Sequence, residues 1–226
     1  MADCCTDIRT KLSDDNLTHT QSPLKENRTY TPRKPKTCVS DVTEPGWPPT
    51  AEGFADFLRE SELTRYHEAG HAVAYYIYRF KPKRITGPLA EHDRRTTAFF
   101  SSRPGLLMTP VARERAQDYA VTVIAGIAAE SKIADVPMAE LRRTSGLDDY
   151  EIVYRVIDQL MYNQGFENKP DVFAARLNLL EARAVTMMNQ PLVWSAVESV
   201  AEELLDSCGD LERGELVSAI ERGLGL

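Results

Sequence analysis

The chain has 226 residues, 27 Lys and Arg against 34 Asp and Glu, a formal charge of −7, and 42% hydrophobic residues. That is enough for one domain plus a tail with a buried core, which excludes both a wholly disordered chain and a multi-module machine. The mild acidity argues against a surface that coats nucleic acid, which needs a basic stripe.

Residues 1 to about 50 hold six of the 13 prolines, many Thr and Ser, and no Phe. Such sparse apolar side chains cannot offset the entropy of ordering, so this stretch reads as a disordered tail. Its seven Lys and Arg balance seven Asp and Glu, which leaves the whole negative charge to the remainder. The PRKPK run at 32–36 reads as a solvated linker. No run approaches the ~18 apolar residues a membrane helix needs; the best, Ala120 to Ala129, contains Thr122 and Gly126. The first residues lack the charged-then-apolar order of a secretion signal. Four cysteines without a CxxC pair suggest neither a thiolate zinc site nor a disulfide framework. A soluble, cytoplasmic protein with no transmembrane segment is expected.

From residue 51 the pattern turns helical. Ala51 to Arg59 reads as a lead-in helix, and Ser61 as the cap of a longer one from Glu62 to about Arg79, with Leu63, Tyr66, Ala69, Val73 and Ile77 on one face. Lys83 to Leu89 and Thr96 to Ser102 read as a small hairpin around a polar loop. Thr109-Pro110 is a helix start, a capping residue followed by proline at the first position, and that helix runs to about Ile133. Asp148 to about Asn163 carries Val153, Val156, Ile157 and Leu160 at buried-stripe spacing. Pro170 and Pro191 open two further helices, ending near Asn189 and at Cys208-Gly209, and Arg213 to Arg222 closes the chain.

Within the second of these helices stands His67-Glu68-Ala69-Gly70-His71, an HExxH motif. A spacing of four places both imidazoles on one helix face, where they can share a tetrahedral zinc. Glu68 is then placed to take a proton from a water on the metal, and later to return one to a leaving amine. The bland reading is a helix whose histidines satisfy core hydrogen bonds. Against it, two of the four histidines fall within five residues, and Gly70 costs about 1 kcal/mol mid-helix unless close packing requires it. A hydrolytic zinc needs a third protein ligand. Ala74 and Ile77 occupy the places that a longer HExxHxxGxxH motif would give to Gly and His, His19 lies in the tail and His92 in the polar loop. The candidates are therefore carboxylates on later helices: Glu130, Asp148 and Asp149. Residue pattern alone does not choose among them.

Four blocks in order, HEAGHA (67–72), IAGIAAES (124–131), TSGLDDY (144–150) and YNQGF (162–166), resemble the protease domain of the FtsH-type ATP-dependent zinc metallopeptidases. That family shows HEAGHA, a GGRAAEE-like helix, a TTGA-x-ND segment, and Gly-Phe or Gly-Met after the next helix. The stretch from Glu181 to Leu205, followed by DLERGEL, is similar to the family's closing helices, so the resemblance spans roughly residues 60 to 224. It implies a mainly α-helical zinc metallopeptidase domain with a small β-hairpin over 51–226, Zn2+ as cofactor, a polypeptide substrate, and Glu68 as general base. The family's third ligand is the Asp of TTGA-x-ND. Counting back from Gly165 at the family spacing reaches Asp149, which gives His67, His71 and Asp149 as the implied ligand set. The Gly-to-Asp stretch is one residue shorter here, which keeps Asp148 as the alternative. Glu130 matches an acidic position whose implied role is to support an imidazole or the fold. The hairpin matches an edge along which such peptidases take substrate as an added strand.

Family members carry a membrane anchor and an ATPase module ahead of this domain, and this sequence contains no GxxxxGK[ST] phosphate loop. The resemblance therefore implies a separate ATPase partner, or substrates that arrive flexible or unfolded. Its ring-forming habit implies a homo-oligomer. The alternative from another class is a non-cleaving zinc-binding regulatory or adaptor module with the same fold. A third reading is a peptidase acting on one regulatory protein.

Overall fold

The computed structural model describes residues 51–86, 89–92, 109–207 and 209–226, with side chains over 59–85, 109–207 and 209–226. The chain is mainly α-helical with a small antiparallel sheet. Its elements are α1 (Ala51–Ile77), β1 (Pro82–Thr86), β2 (Leu89–His92), α2 (Pro110–Ala134), α3 (Met138–Leu141), α4 (Leu147–Tyr162), α5 (Pro170–Met188), α6 (Pro191–Asp206), β3 (Leu211–Glu212) and α7 (Arg213–Leu224). The tail over 1–50 and the expected strand Thr96 to Ser102 lie outside the described residues.

Helix α2 forms the centre. Thr109 Oγ1 accepts from Ala112 N–H at 3.1 Å and Pro110 takes the first position, as the sequence requires of a start. Every residue from Tyr119 to Glu130 is buried, with α1, α4 and α5 packed around the helix. Small side chains let α1 approach closely: a Cβ on Gly70 would stand 2.6 Å from the Ala125 carbonyl oxygen and 2.8 Å from Ala129 Cβ. This contact explains a glycine inside a helix, where it otherwise costs stability. The stripe Val153, Val156, Ile157 and Leu160 of α4 is fully buried, at 1% exposure or less. Helices α6 and α7 pack on one another, with Gly223 against the backbone of Ala196.

Three expectations need correction. The lead-in and main helices are one helix, and Ser61 lies inside α1 rather than capping it. No Pro or Gly separates Arg59 from Glu62, and a mid-helix serine costs only about 0.5 kcal/mol, too little to end a helix. The single strand expected over Lys83 to Leu89 is two: β1 ends at Thr86 and pairs with Leu89–His92, which takes in Leu89 and part of the stretch expected to be a loop. A single strand over 83–89 would run through Gly87-Pro88, a turn signature. Finally, β3 pairs with β1 through Arg84–Glu212 and Ile85–Leu211. β1 is therefore the central strand of the order β2-β1-β3, and both of its edges are engaged. A strand added to this sheet along β1 is excluded where β2 and β3 flank it.

The ends of the remaining helices follow local chemistry. Gly209 has φ +91° and donates to the Leu204 carbonyl at 2.8 Å, closing α6 as a left-handed residue does. Glu212 and Glu215 form a reciprocal capping box at the start of α7. No described helix is long and apolar enough to cross a membrane.

Candidate metal centre

Helix periodicity brings His67 and His71 to the α2-facing side of α1, and each ring is fixed through its Nδ1. His71 Nδ1 lies 2.9 Å from the main-chain carbonyl of Thr122, and His67 Nδ1 lies 2.9 Å from Glu130 Oε2. Both partners are acceptors, so each Nδ1 carries a proton, and each Nε2 faces the other ring and Asp149, where it holds either a further proton or a lone pair for a cation. The two Nε2 atoms stand 3.0 Å apart. Asp149 Oδ2 completes the triangle, 3.0 Å from His67 Nε2 and 3.4 Å from His71 Nε2.

Three acceptors at this separation repel one another unless a proton or a cation lies between them. Tetrahedral zinc, with bonds of ~2.0–2.1 Å, sets its ligand atoms about 3.3 Å apart. The observed 3.0–3.4 Å edges match that spacing. The donor set of two neutral imidazoles and one carboxylate, with the other nitrogen of each ring anchored on an oxygen, suits zinc. Among the described residues, His67, His71 and Asp149 are the group whose ligand atoms could together hold a metal.

Titration behaviour reflects the same convergence. Burial pulls the His67 pKa down, but hydrogen bonds to Asp149 and Glu130 outweigh it and raise it to about 10. His71 is also raised, with the Asp149 charge overcoming burial. Burial would raise Asp149, yet the charge of His71 and the hydrogen bonds of both rings hold it below the usual carboxylate range. Glu130 is lowered likewise, with the His67 and Ser145 hydrogen bonds prevailing over burial. In the absence of a cation, protons neutralise the cluster.

Glu68 is buried, lines the same cleft, and acts electrostatically on both imidazoles. Asp149 lies within the ligand triangle, whereas Asp148 beside it is exposed and lines the cleft. Glu130 is buried at 6% exposure and bonded to Nδ1 of His67, the ring nitrogen outside the triangle. Other contributors were not singled out in the sequence. Ser145 donates to Glu130 Oε1 at 2.7 Å, and the Thr122 carbonyl holds His71. Gly126 leaves room for the His71 ring, since a Cβ there would meet Nε2 at 2.5 Å. The adjacency of Ser145 to Gly146 and of Gly126 to Ile127-Ala128-Ala129 was the available signal, and both read equally well as packing.

The centre opens into a cleft of about 570 Å3 whose apolar lining includes Leu63, Val123 and Ile152. Tyr75 and Tyr119 also line it; burial raises the Tyr119 phenol to about 12 and pushes Tyr75 well upward, so both stay protonated at neutral pH. No family model matches this chain, and no curated protein or solved structure matches it.

Proposed function

We propose that the chain is a zinc metalloendopeptidase, hydrolysing peptide bonds in the manner of the FtsH-type protease domain that its sequence resembles. The observation that carries this reading is the meeting of His67 Nε2, His71 Nε2 and Asp149 Oδ2 at 3.0–3.4 Å, with Glu68 in the same cleft. A zinc ion held by these atoms would lower the pKa of a bound water to about 7 and polarise a carbonyl. The chain's own groups do the rest. Glu130 and the Thr122 carbonyl hold both imidazoles in the tautomer whose Nε2 lone pairs face inward. Asp149 contributes the negative charge. Glu68 takes the proton of the attacking water and passes it to the leaving amine nitrogen, so that one carboxylate serves both halves of the reaction. The cleft, about 570 Å3 and lined by both apolar and polar side chains, has room for part of a polypeptide segment.

Metal content and cleavage of an unfolded protein such as casein, measured for wild type and Glu68→Gln, test the reading. The expected result is one zinc per chain in both, with cleavage lower by roughly 10²–10⁴-fold in Glu68→Gln. Equal cleavage by the two would remove the proposed base. Zinc binding with no cleavage by wild type would favour a regulatory module instead.

A further inference from the structure

Two groups of the centre lie on the stretch 142–150, Ser145 on the link from α3 to α4 and Asp149 in the first turn of α4. That segment is bracketed by Arg142, which ends α3, and by Tyr150, which follows Asp149. Both reach the same atom. Oε1 of Glu181, on α5, accepts from Arg142 Nη2 and from the Tyr150 hydroxyl. The guanidinium also stands over the Tyr150 ring, 5.0 Å from its centroid. Tyr150 is 1% exposed and the Glu181 side chain 16%, so these charge-assisted contacts lie largely out of water, where they hold geometry firmly.

We propose that Glu181 is a positioning residue for the metal centre. By drawing Arg142 and Tyr150 to one carboxylate oxygen, it pinches the segment between them so that Asp149 reaches the paired imidazoles and Ser145 reaches Glu130. The inference rests on the zinc reading of that centre. Glu181 is neither in the ligand triangle nor among the residues that line the cleft; its effect passes through the placement of Asp149. A metal site tolerates errors of only about 0.5 Å in its ligands, so a clamp on the ligand-bearing segment acts on affinity beyond its effect on folding. A second, partly buried ion pair offers the comparison: Arg183, also on α5, bonds Asp118 of α2 at 2.8 Å.

Zinc affinity by chelator competition, the cobalt(II) absorption spectrum, and metal-free thermal stability are measured for wild type, Glu181→Gln, Tyr150→Phe and Asp118→Asn. Glu181→Gln should bind zinc roughly 10–100-fold more weakly and show weakened tetrahedral cobalt bands. Tyr150→Phe, which removes one hydroxyl and little volume, should shift affinity the same way by less. Asp118→Asn should lose thermal stability yet keep zinc affinity within about twofold, as an independent site does. Wild-type affinity in Glu181→Gln would overturn the inference, as would an equal loss in Asp118→Asn. Should Glu181→Gln fail to fold, Tyr150→Phe decides by the same criterion. A wild-type chain that binds no zinc would overturn the metal reading and this inference with it, whereas zinc binding indifferent to Glu181 removes the inference alone.

Discussion

A Cβ on Gly126 would lie 2.5 Å from Nε2 of His71, so the imidazole fills the space that only glycine leaves on α2. Gly126→Ala should therefore push the ring off its Thr122 anchor and out of the ligand triangle. Alanine improves helix propensity by about 1 kcal/mol, whereas overpacking costs ~1–3 kcal/mol, so stability should change little or fall modestly. Zinc binding should suffer far more than folding. Parallel measurement of metal content and metal-free melting temperature checks this, and full zinc occupancy in Gly126→Ala would contradict it.

The two adjacent aspartates make a sharper test. Asp149→Asn should abolish tight zinc retention, because it removes the charged oxygen within 3.4 Å of both rings. Asp148→Asn should retain the metal, since that side chain is exposed and outside the triangle. Metal content after extensive dialysis distinguishes them, and the opposite ranking would reassign the ligand.

Glu130 fixes the tautomer of His67, and Ser145 fixes Glu130. Glu130→Gln should weaken zinc binding by roughly 10–100-fold, the usual range for an outer partner of a ligating histidine. Ser145→Ala deletes one hydrogen bond and should cost about 1 kcal/mol, a several-fold loss. Competition titration of each variant reads both values. If Ser145→Ala were the more damaging, the order of the chain would be wrong.

Stability without metal should depend on pH in a stated direction. The His67 pKa rises from 6.5 to about 10 on folding, so its contribution is complete below pH 6.5 and lost as pH climbs toward 10. Asp149 is lowered from 3.8, so its contribution is present above that pH and fades as the medium becomes more acid. Chelator-treated protein should thus be most stable between these limits and weaken from pH 6.5 to 9.5. Zinc must displace protons from the imidazoles, so its stabilising effect should grow over the same interval. Melting curves with chelator and with zinc at pH 5, 7 and 9 test both trends; a metal-free protein that gains stability toward pH 9 would refute the assignment.

Much of this was legible before any coordinates. Proline and threonine at helix starts marked α2, α5 and α6, and the stripe of α4 was readable from Val153 to Leu160 because burial there follows a helical period. The HExxH pair needed only helix geometry to be placed together. Asp149 was different. It comes from 82 positions away, and acidic residues at a helix start are favoured for dipole reasons alone, so family resemblance singled it out where periodicity could not. The supports were less visible still. A main-chain carbonyl at Thr122 has no sequence signature, and Ser145 resembles any turn serine. The continuity of α1 was missed because Ser61 has the chemistry of a cap in a place where nothing ends the helix.

Helix α4 packs against α2 and shares little backbone contact with α1, yet it delivers the carboxylate that meets the two α1 imidazoles. A cation bound there would be a removable staple, closing a span of 82 positions as a disulfide would, but one that a chelator can open. Loading would then do more than equip a reaction: it would fasten one helix to the body of the protein. Hydrogen exchange after chelation should quicken along α4 while the mutual packing of α6 and α7 keeps its amides slow.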